Sequence, residues 1–170
     1  MKKNVLAFVF AVSMTAGCAF GADAFKLGGT APLTGGAAIY GNAAKNGAQI
    51  AVDEINAAGG IRFELNYEDD THDAEKAVNA YNALKDWGMQ LSLGSVTSKP
   101  CEATAAENFA DRIFALTPSA SAVAVTAGKD NVFQMCFVDP NQGSASAQYI
   151  AGNALAKKVA VIWKNDDVYS

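Results

Sequence analysis

The sequence predicts an α/β fold: a doubly wound, mostly parallel sheet with helices on both faces. Short apolar runs of strand type alternate with longer segments whose apolar residues recur at steps of three and four, the order expected of βαβ units. Two of the short runs, Leu91-Ser92-Leu93 and Ile113-Phe114-Ala115-Leu116, are each followed by a polar turn, Ser95-Val96-Thr97-Ser98 and Ser119-Ala120-Ser121. Parallel strands ending side by side would bring these hydroxyls and backbone N–H groups to one sheet edge. Open α/β sheets bind their ligands at that edge.

Each element has its own signal. Phe25-Lys26-Leu27 opens the first strand, which runs toward the glycine turn Gly35-Gly36. A helix is predicted from about Gly41 to Ala58, with Ala44, Ala48, Ala51, Ile55 and Ala58 as its apolar stripe. Gly59-Gly60 stops it, because glycine takes the left-handed C-terminal position without steric cost. Arg62 to Tyr67 alternates Phe63, Leu65 and Tyr67, a strand pattern. Thr71 is placed as the cap of the second helix, with Asp73 and Glu75 in its positive first turn and Ala74, Ala77, Val78, Tyr81 and Leu84 on its buried face.

The third strand is Leu91–Gly94. Pro100 enters the next helix, where a missing N–H costs little. Ile113–Leu116 and Val132–Phe137 are the fourth and fifth strands. Asp139-Pro140-Asn141-Gln142 reads as a capping box, and the helix it starts turns Ala147, Ile150, Ala151 and Ala154 inward. Val159–Trp163 is a last predicted strand before a polar tail. With no helix after it, the chain reads as an N-terminal fragment, and an end at Ser170 would impair function.

The first 24 residues read as an export signal rather than as fold. Lys2-Lys3 precede an apolar run from Val5 to Met14, and Ala22-Asp23-Ala24 is a small-x-small cleavage site. The run is too short to span a bilayer. Cys18 after Thr15-Ala16-Gly17 offers a second option, an acylated lipoprotein; Thr15 stands where that motif usually has leucine, which favours the free form cleaved after Ala24. The chain carries 13 basic against 17 acidic side chains, and removing Lys2, Lys3 and Asp23 leaves the mature part more acidic. That balance excludes nucleic acid as a partner. Export places Cys101 and Cys136 in an oxidising compartment, where an even pair forms one disulfide or remains as two small buried hydrophobes.

Enzyme chemistry finds no support. The single histidine, His72, sits in the polar loop Asp70-Thr71-His72-Asp73 and reads as a solvated loop residue. There is no Gly-x-Ser-x-Gly elbow, no phosphate loop around Gly41-Asn42-Ala43-Ala44-Lys45, and no Cys/His spacing for zinc. Asp69-Asp70 and Asp166-Asp167 read as solvated loop charge. No cofactor is implied. Hydroxyls and amides without a strong base suit a small zwitterion, whose carboxylate takes N–H and O–H donors and whose ammonium takes carbonyls and hydroxyls. Ser98 also lies at the positive end of a helix, and Tyr40 offers an aromatic wall. The alternative is that Ser95, Thr97, Ser119 and Ser121 are ordinary capping and turn residues.

A set of landmarks then carries a resemblance. Pro32-Leu33-Thr34-Gly35 with Tyr40-Gly41, Asp53-Glu54-Ile55-Asn56-Ala57-Ala58-Gly59-Gly60-Ile61, Tyr67-Glu68-Asp69-Asp70, Leu116-Thr117-Pro118-Ser119-Ala120-Ser121 and Val159-Ala160-Val161-Ile162 occur in order from Phe25 to Ser170. The chain resembles the periplasmic substrate-binding proteins of branched-chain amino-acid ABC transporters, the leucine/isoleucine/valine type. The resemblance implies the type I periplasmic-binding-protein architecture, two α/β lobes that close on a ligand. Residues 25–140 would form the N-terminal ligand-binding lobe, 141–157 a crossover helix toward the hinge, and 158–170 the start of a second lobe.

The resemblance implies a monomer when full length, which captures an amino acid or related zwitterion and delivers it to a membrane permease. Ser98 would bind the ligand carboxylate. Ser119, Ala120 and Ser121 would serve the ammonium and carboxylate, Tyr40 and Thr97 would line the side-chain region, and Tyr169 would contribute an aromatic from the second lobe. Thr97 stands where such proteins often carry a cysteine bonded to one after the second strand, so Cys101–Cys136 would be a different bridge and the ligand need not be aliphatic. The alternative on the same fold is the ligand-sensing extracellular domain of a receptor or two-component regulator.

Overall fold

Five strands, β1 (Phe25–Ala31), β2 (Phe63–Asp69), β3 (Leu91–Ser95), β4 (Phe114–Thr117) and β5 (Val132–Gln134), form one parallel sheet in the order β2-β1-β3-β4-β5. Four helices connect or follow them: α1 (Ala38–Ala58), α2 (Ala74–Trp87), α3 (Ser98–Asp111) and α4 (Asp139–Gly152). The computed structural model describes residues 24–169, so the export signal and the Cys18 alternative lie outside the described residues. The doubly wound α/β class is as expected. Strand order reverses between β1 and β3, and this switch point opens a crevice at the C-terminal ends of those strands.

The core is divided by the sheet. Ala44 and Ala48 of α1 pack with Ala31, Leu65, Tyr67 and Leu93. Tyr81 and Leu84 of α2 pack with Met89, Trp87 and Ile113. Cys101 and Ala105 of α3 meet Ala115, Ala120, Val125 and Val132. Small side chains dominate, so helices and strands approach closely. The tightest approach is at Gly41, where an added Cβ would stand 2.1 Å from the Pro32 carbonyl oxygen.

Local chemistry departs from the sequence reading in five places. Helix α1 starts at Ala38, and its inward face is Gly41, Ala44, Ala48 and Val52; Ala51, Ile55 and Ala58 of the predicted stripe face solvent. Gly41, which hydropathy does not score, sets the helix rotation by its contact with Pro32. The cap of α2 is Asp73, whose Oδ1 accepts from the Lys76 N–H at 2.9 Å; Thr71 is in a left-handed conformation two residues earlier. Strand β5 stops at Gln134, short of Phe137. Helix α4 has Val138 as its N-cap with no side-chain bond, and none of its residues is buried, so Ala147, Ile150, Ala151 and Ala154 do not turn into a core. Residues 159–163 are not a strand; they lie exposed, Ile162 at 96%. β-Branched residues make a strand only where a neighbour completes the ladder, and none does so here among the described residues.

Gly41→Ala should lower unfolding stability by about 1–3 kcal/mol, because backbone rather than a flexible side chain blocks the new methyl group. Denaturant titration would show a lower midpoint at unchanged slope; an unchanged midpoint would mean that α1 is not seated on Pro32.

Candidate functional site

The crevice is built from the end of β3. Gly94 takes a left-handed φ of 61°, and the β1–β3 register shifts between Gly28 and Thr30, which brings Ser95 beside Thr30. The Ser95 hydroxyl, fully buried, forms hydrogen bonds with the Thr30 hydroxyl and, at 3.2 Å, with that of Thr104 in α3. Its carbonyl accepts from Thr117 Oγ1 of β4 at 2.7 Å. One step further, the Val96 carbonyl accepts from Ser119 Oγ at 2.6 Å. Ser98 opens α3, 3% exposed, and its Oγ accepts from the N–H groups of Ser121 (3.1 Å) and Ala122 (3.3 Å). The first-turn N–H groups of α3 have no acceptors within the helix, so its positive end faces the crevice beside Ser98.

The acidic loop after β2 is structural, contrary to the solvated reading. Asp69 Oδ1 accepts from the Leu33 and Thr71 N–H groups at 2.8 and 2.9 Å, and Oδ2 from Thr34 Oγ1 at 2.5 Å. Burial works to raise its pKa, but these bonds outweigh it and hold the carboxyl below the usual value. Asp70 is fully buried; its Oδ1 accepts from the His72 N–H at 2.8 Å and its Oδ2 has no partner. Desolvation pushes its pKa up to about 6, opposed by the His72 N–H and helped by the Asp69 charge. Between these anchors Thr71 and His72 both take positive φ, 49° and 63°. That turn carries His72 across the crevice, where Nδ1 lies 2.9 Å from Thr97 Oγ1.

A cavity of about 320 Å³ occupies the crevice, a volume suited to a small ligand. Of the residues singled out in the sequence, Tyr40, Thr97, Ser98, Ser119 and Tyr169 line it. Ala120 and Ser121 do not. Ala120 is fully buried in the α3 core, while Ser121 is bonded through its N–H to Ser98 and keeps a buried Oγ without a partner. Four lining residues were missed: the apolar Ala37 and Val96, and the titratable His72 and Asp167, whose Nε2 and Oδ2 face each other at 3.7 Å. The signal for His72 was its place after the second strand, where the resemblance implied a tie to the Thr97 position. Among the described residues no group of acidic, His or Cys side chains could hold a metal ion.

The expected Cys101–Cys136 bridge is not formed: both cysteines are free. Burial pushes the Cys101 thiol up to about 11, away from the thiolate that disulfide chemistry needs. Cys136 Sγ instead donates to the Ala120 carbonyl at 3.3 Å.

Residues 24–170 match the family model described as periplasmic binding protein. The Leu/Ile/Val-binding protein BraC3 of Rhizobium johnstonii is 39% identical over 80% of this chain and 38% of its own length. A leucine-, isoleucine-, valine-, threonine- and alanine-binding protein of Pseudomonas aeruginosa is 32% identical over 95% of this chain and 46% of its own. Among solved structures, the substrate-binding protein LivJ of Streptococcus pneumoniae, in complex with isoleucine, superposes with a TM-score of 0.73 at 31% identity, over 79% of this chain and 40% of that one. The chain therefore spans less than half the length of these relatives.

Asp70 gives the site a pH signature. Its folded pKa, about 6, lies above the unfolded value of 3.8, so ionising it opposes folding. The opposition is absent below pH 3.8, grows between 3.8 and 6, and is complete above 6, reaching about 3 kcal/mol. Asp70→Asn keeps the acceptor for His72 and removes the charge. The variant's stability relative to wild type should rise as pH goes from 4 to 7 in parallel denaturant titrations; a pH-independent difference would refute this origin.

Proposed function

Because this chain belongs to the periplasmic binding protein family, we propose that it is the ligand-gripping part of an extracytoplasmic solute receptor of an ABC transporter. It captures an amino acid between two lobes and delivers it to a membrane permease. Residues 1–24 direct export, with cleavage after Ala24. The observation that carries the reading is the convergence of Ser98, Thr97, Ser119 and Tyr40 on one cavity at the switch point, with Tyr169 on its rim. The Leu/Ile/Val-binding relatives and the isoleucine complex of LivJ support the same substrate class.

The chain's own residues supply the grip. The positive end of α3 and the Ser98 hydroxyl receive the ligand carboxylate. The Ser119 carbonyl accepts from the ammonium, while Ser121, outside the cavity, holds Ser98 in place through its N–H. Tyr40, 64% exposed, and Tyr169, 57% exposed, have little of their own surface covered and are free to close over an organic side chain. A ligand that contacts both stabilises the arrangement that brings them together.

In a thermal-shift panel on the full-length protein, amino acids should raise the melting temperature, since a ligand at about 100 times its Kd adds about 2.7 kcal/mol. Tyr40→Ala should weaken binding about tenfold, roughly 1.4 kcal/mol, at unchanged stability without ligand. A cooperative melt that no amino acid shifts would reject the proposal.

A further inference from the structure

We infer that His72 and Asp167 form the side-chain-selecting end of the cavity, and that the ligand is an amino acid with a neutral side chain that both donates and accepts a hydrogen bond: a carboxamide or a hydroxyl. The inference rests on the solute-receptor reading above and goes beyond it by naming the ligand class.

His72 is held for a purpose other than chain reversal. Thr71 and His72 are consecutive non-glycine residues in the left-handed region, each at a cost of about 1–2 kcal/mol, and the side chains of Asp69 and Asp70 bond their two N–H groups. Strain maintained in this way marks a position whose orientation matters. The result is an imidazole fixed at one nitrogen, Nδ1 against Thr97 Oγ1, and presented to the cavity by its other edge.

Across the cavity stands Asp167, with a side chain only 15% exposed. Its Oδ1 accepts from the Tyr169 N–H at 3.1 Å, and its Oδ2 lies 3.7 Å from His72 Nε2 and 4.0 Å from Lys164 Nζ. The carboxylate favours the proton on Nε2, so Thr97 donates to Nδ1 and Nε2–H is a donor facing an acceptor. The two are too far apart for a good hydrogen bond to each other.

A group that accepts from Nε2–H and donates to Asp167 Oδ2 satisfies both. A carboxamide does so with its oxygen and its NH2, a hydroxyl with its single oxygen. An aliphatic side chain would shield Nε2–H and Oδ2 from water and offer neither of them a hydrogen bond, which costs more than the lost contact. A carboxylate would meet Asp167 with like charge. An ammonium would suit Asp167 but turn a donor toward Nε2–H.

The test is calorimetric titration of the full-length protein with L-glutamine, L-asparagine, L-threonine, L-leucine, L-valine and L-glutamate, repeated on His72→Leu and His72→Gln. At least one of the first three should bind about 100-fold or more tightly than leucine, valine and glutamate, well within the discrimination that a site with buried polar partners can reach. His72→Leu should reduce that preference tenfold or more and improve leucine or valine in absolute affinity. His72→Gln, which keeps a donor, should restore most of it. Leucine or valine binding most tightly to wild type would overturn the inference and leave the receptor reading standing, as would a His72→Leu variant with unaltered ratios. Equal weakening of every ligand in His72→Leu would reduce His72 to a structural role. Binding of no amino acid by wild type would instead overturn the receptor reading, and this inference with it.

Discussion

The satisfaction of polar groups at the end of β3 is the constraint on which the crevice depends. Ser95 is fully buried, and an unpaired hydroxyl or carbonyl there would cost on the order of 1–3 kcal/mol. It is paired on three sides, to Thr30 in β1, Thr104 in α3 and Thr117 in β4. Those bonds fix two strand ends and one helix relative to the residue that precedes Val96, Thr97 and Ser98. An apolar residue at position 95 would fill the space but lose the bonds that align three elements. The switch-point crevice is therefore a polar joint in an apolar core in which alanine and valine predominate.

Electrostatics divides the crevice along its length. Ser98 sits at the positive end of α3, with the N–H groups of Ser121 and Ala122 directed at its oxygen. The far side holds the acidic loop and Asp167. Within that loop the two neighbouring carboxylates behave in opposite ways for a stated reason. Asp69 has three donors and stays ionised easily, whereas Asp70 has one donor and no solvent. A zwitterion laid along this gradient is oriented before any side-chain contact is made.

Much of the architecture was legible in the sequence because it rests on patterns with a fixed period and on punctuation. The five parallel strands, the stop at Gly59 and Gly60, the inward face of Ala77, Tyr81 and Leu84, and the serine turns after β3 and β4 all follow from such rules. Several of the failures share a cause: they depended on packing partners outside the local sequence pattern. The rotation of α1 is set by Gly41 against Pro32. The burial of Asp70 is set by the sheet edge around it, and residues 159–163 needed a neighbouring strand. His72 looked solvated because its hydrogen-bond partner is 25 residues away. The thiols are the converse case, since compartment and parity argued for a bond that the positions of Cys101 and Cys136 do not make.

Thr97 and Ser98 are adjacent, yet their hydroxyls run in opposite directions, because one ends an extended segment and the other begins a helix. Thr97 turns toward His72 and the loop after β2; Ser98 turns toward Ser121 and the loop after β4. A single peptide unit thus joins the part of the site suited to a ligand's backbone with the part suited to its side chain. Under the proposed roles, substitutions at His72 or Asp167 would change the second without touching the Ser95 joint or the α3 terminus on which the first is built. On the proposed reading, a scaffold arranged in this way would keep its grip on amino acids while its choice among them is reset at a few loop positions, one route by which a fold can serve receptors of different selectivity.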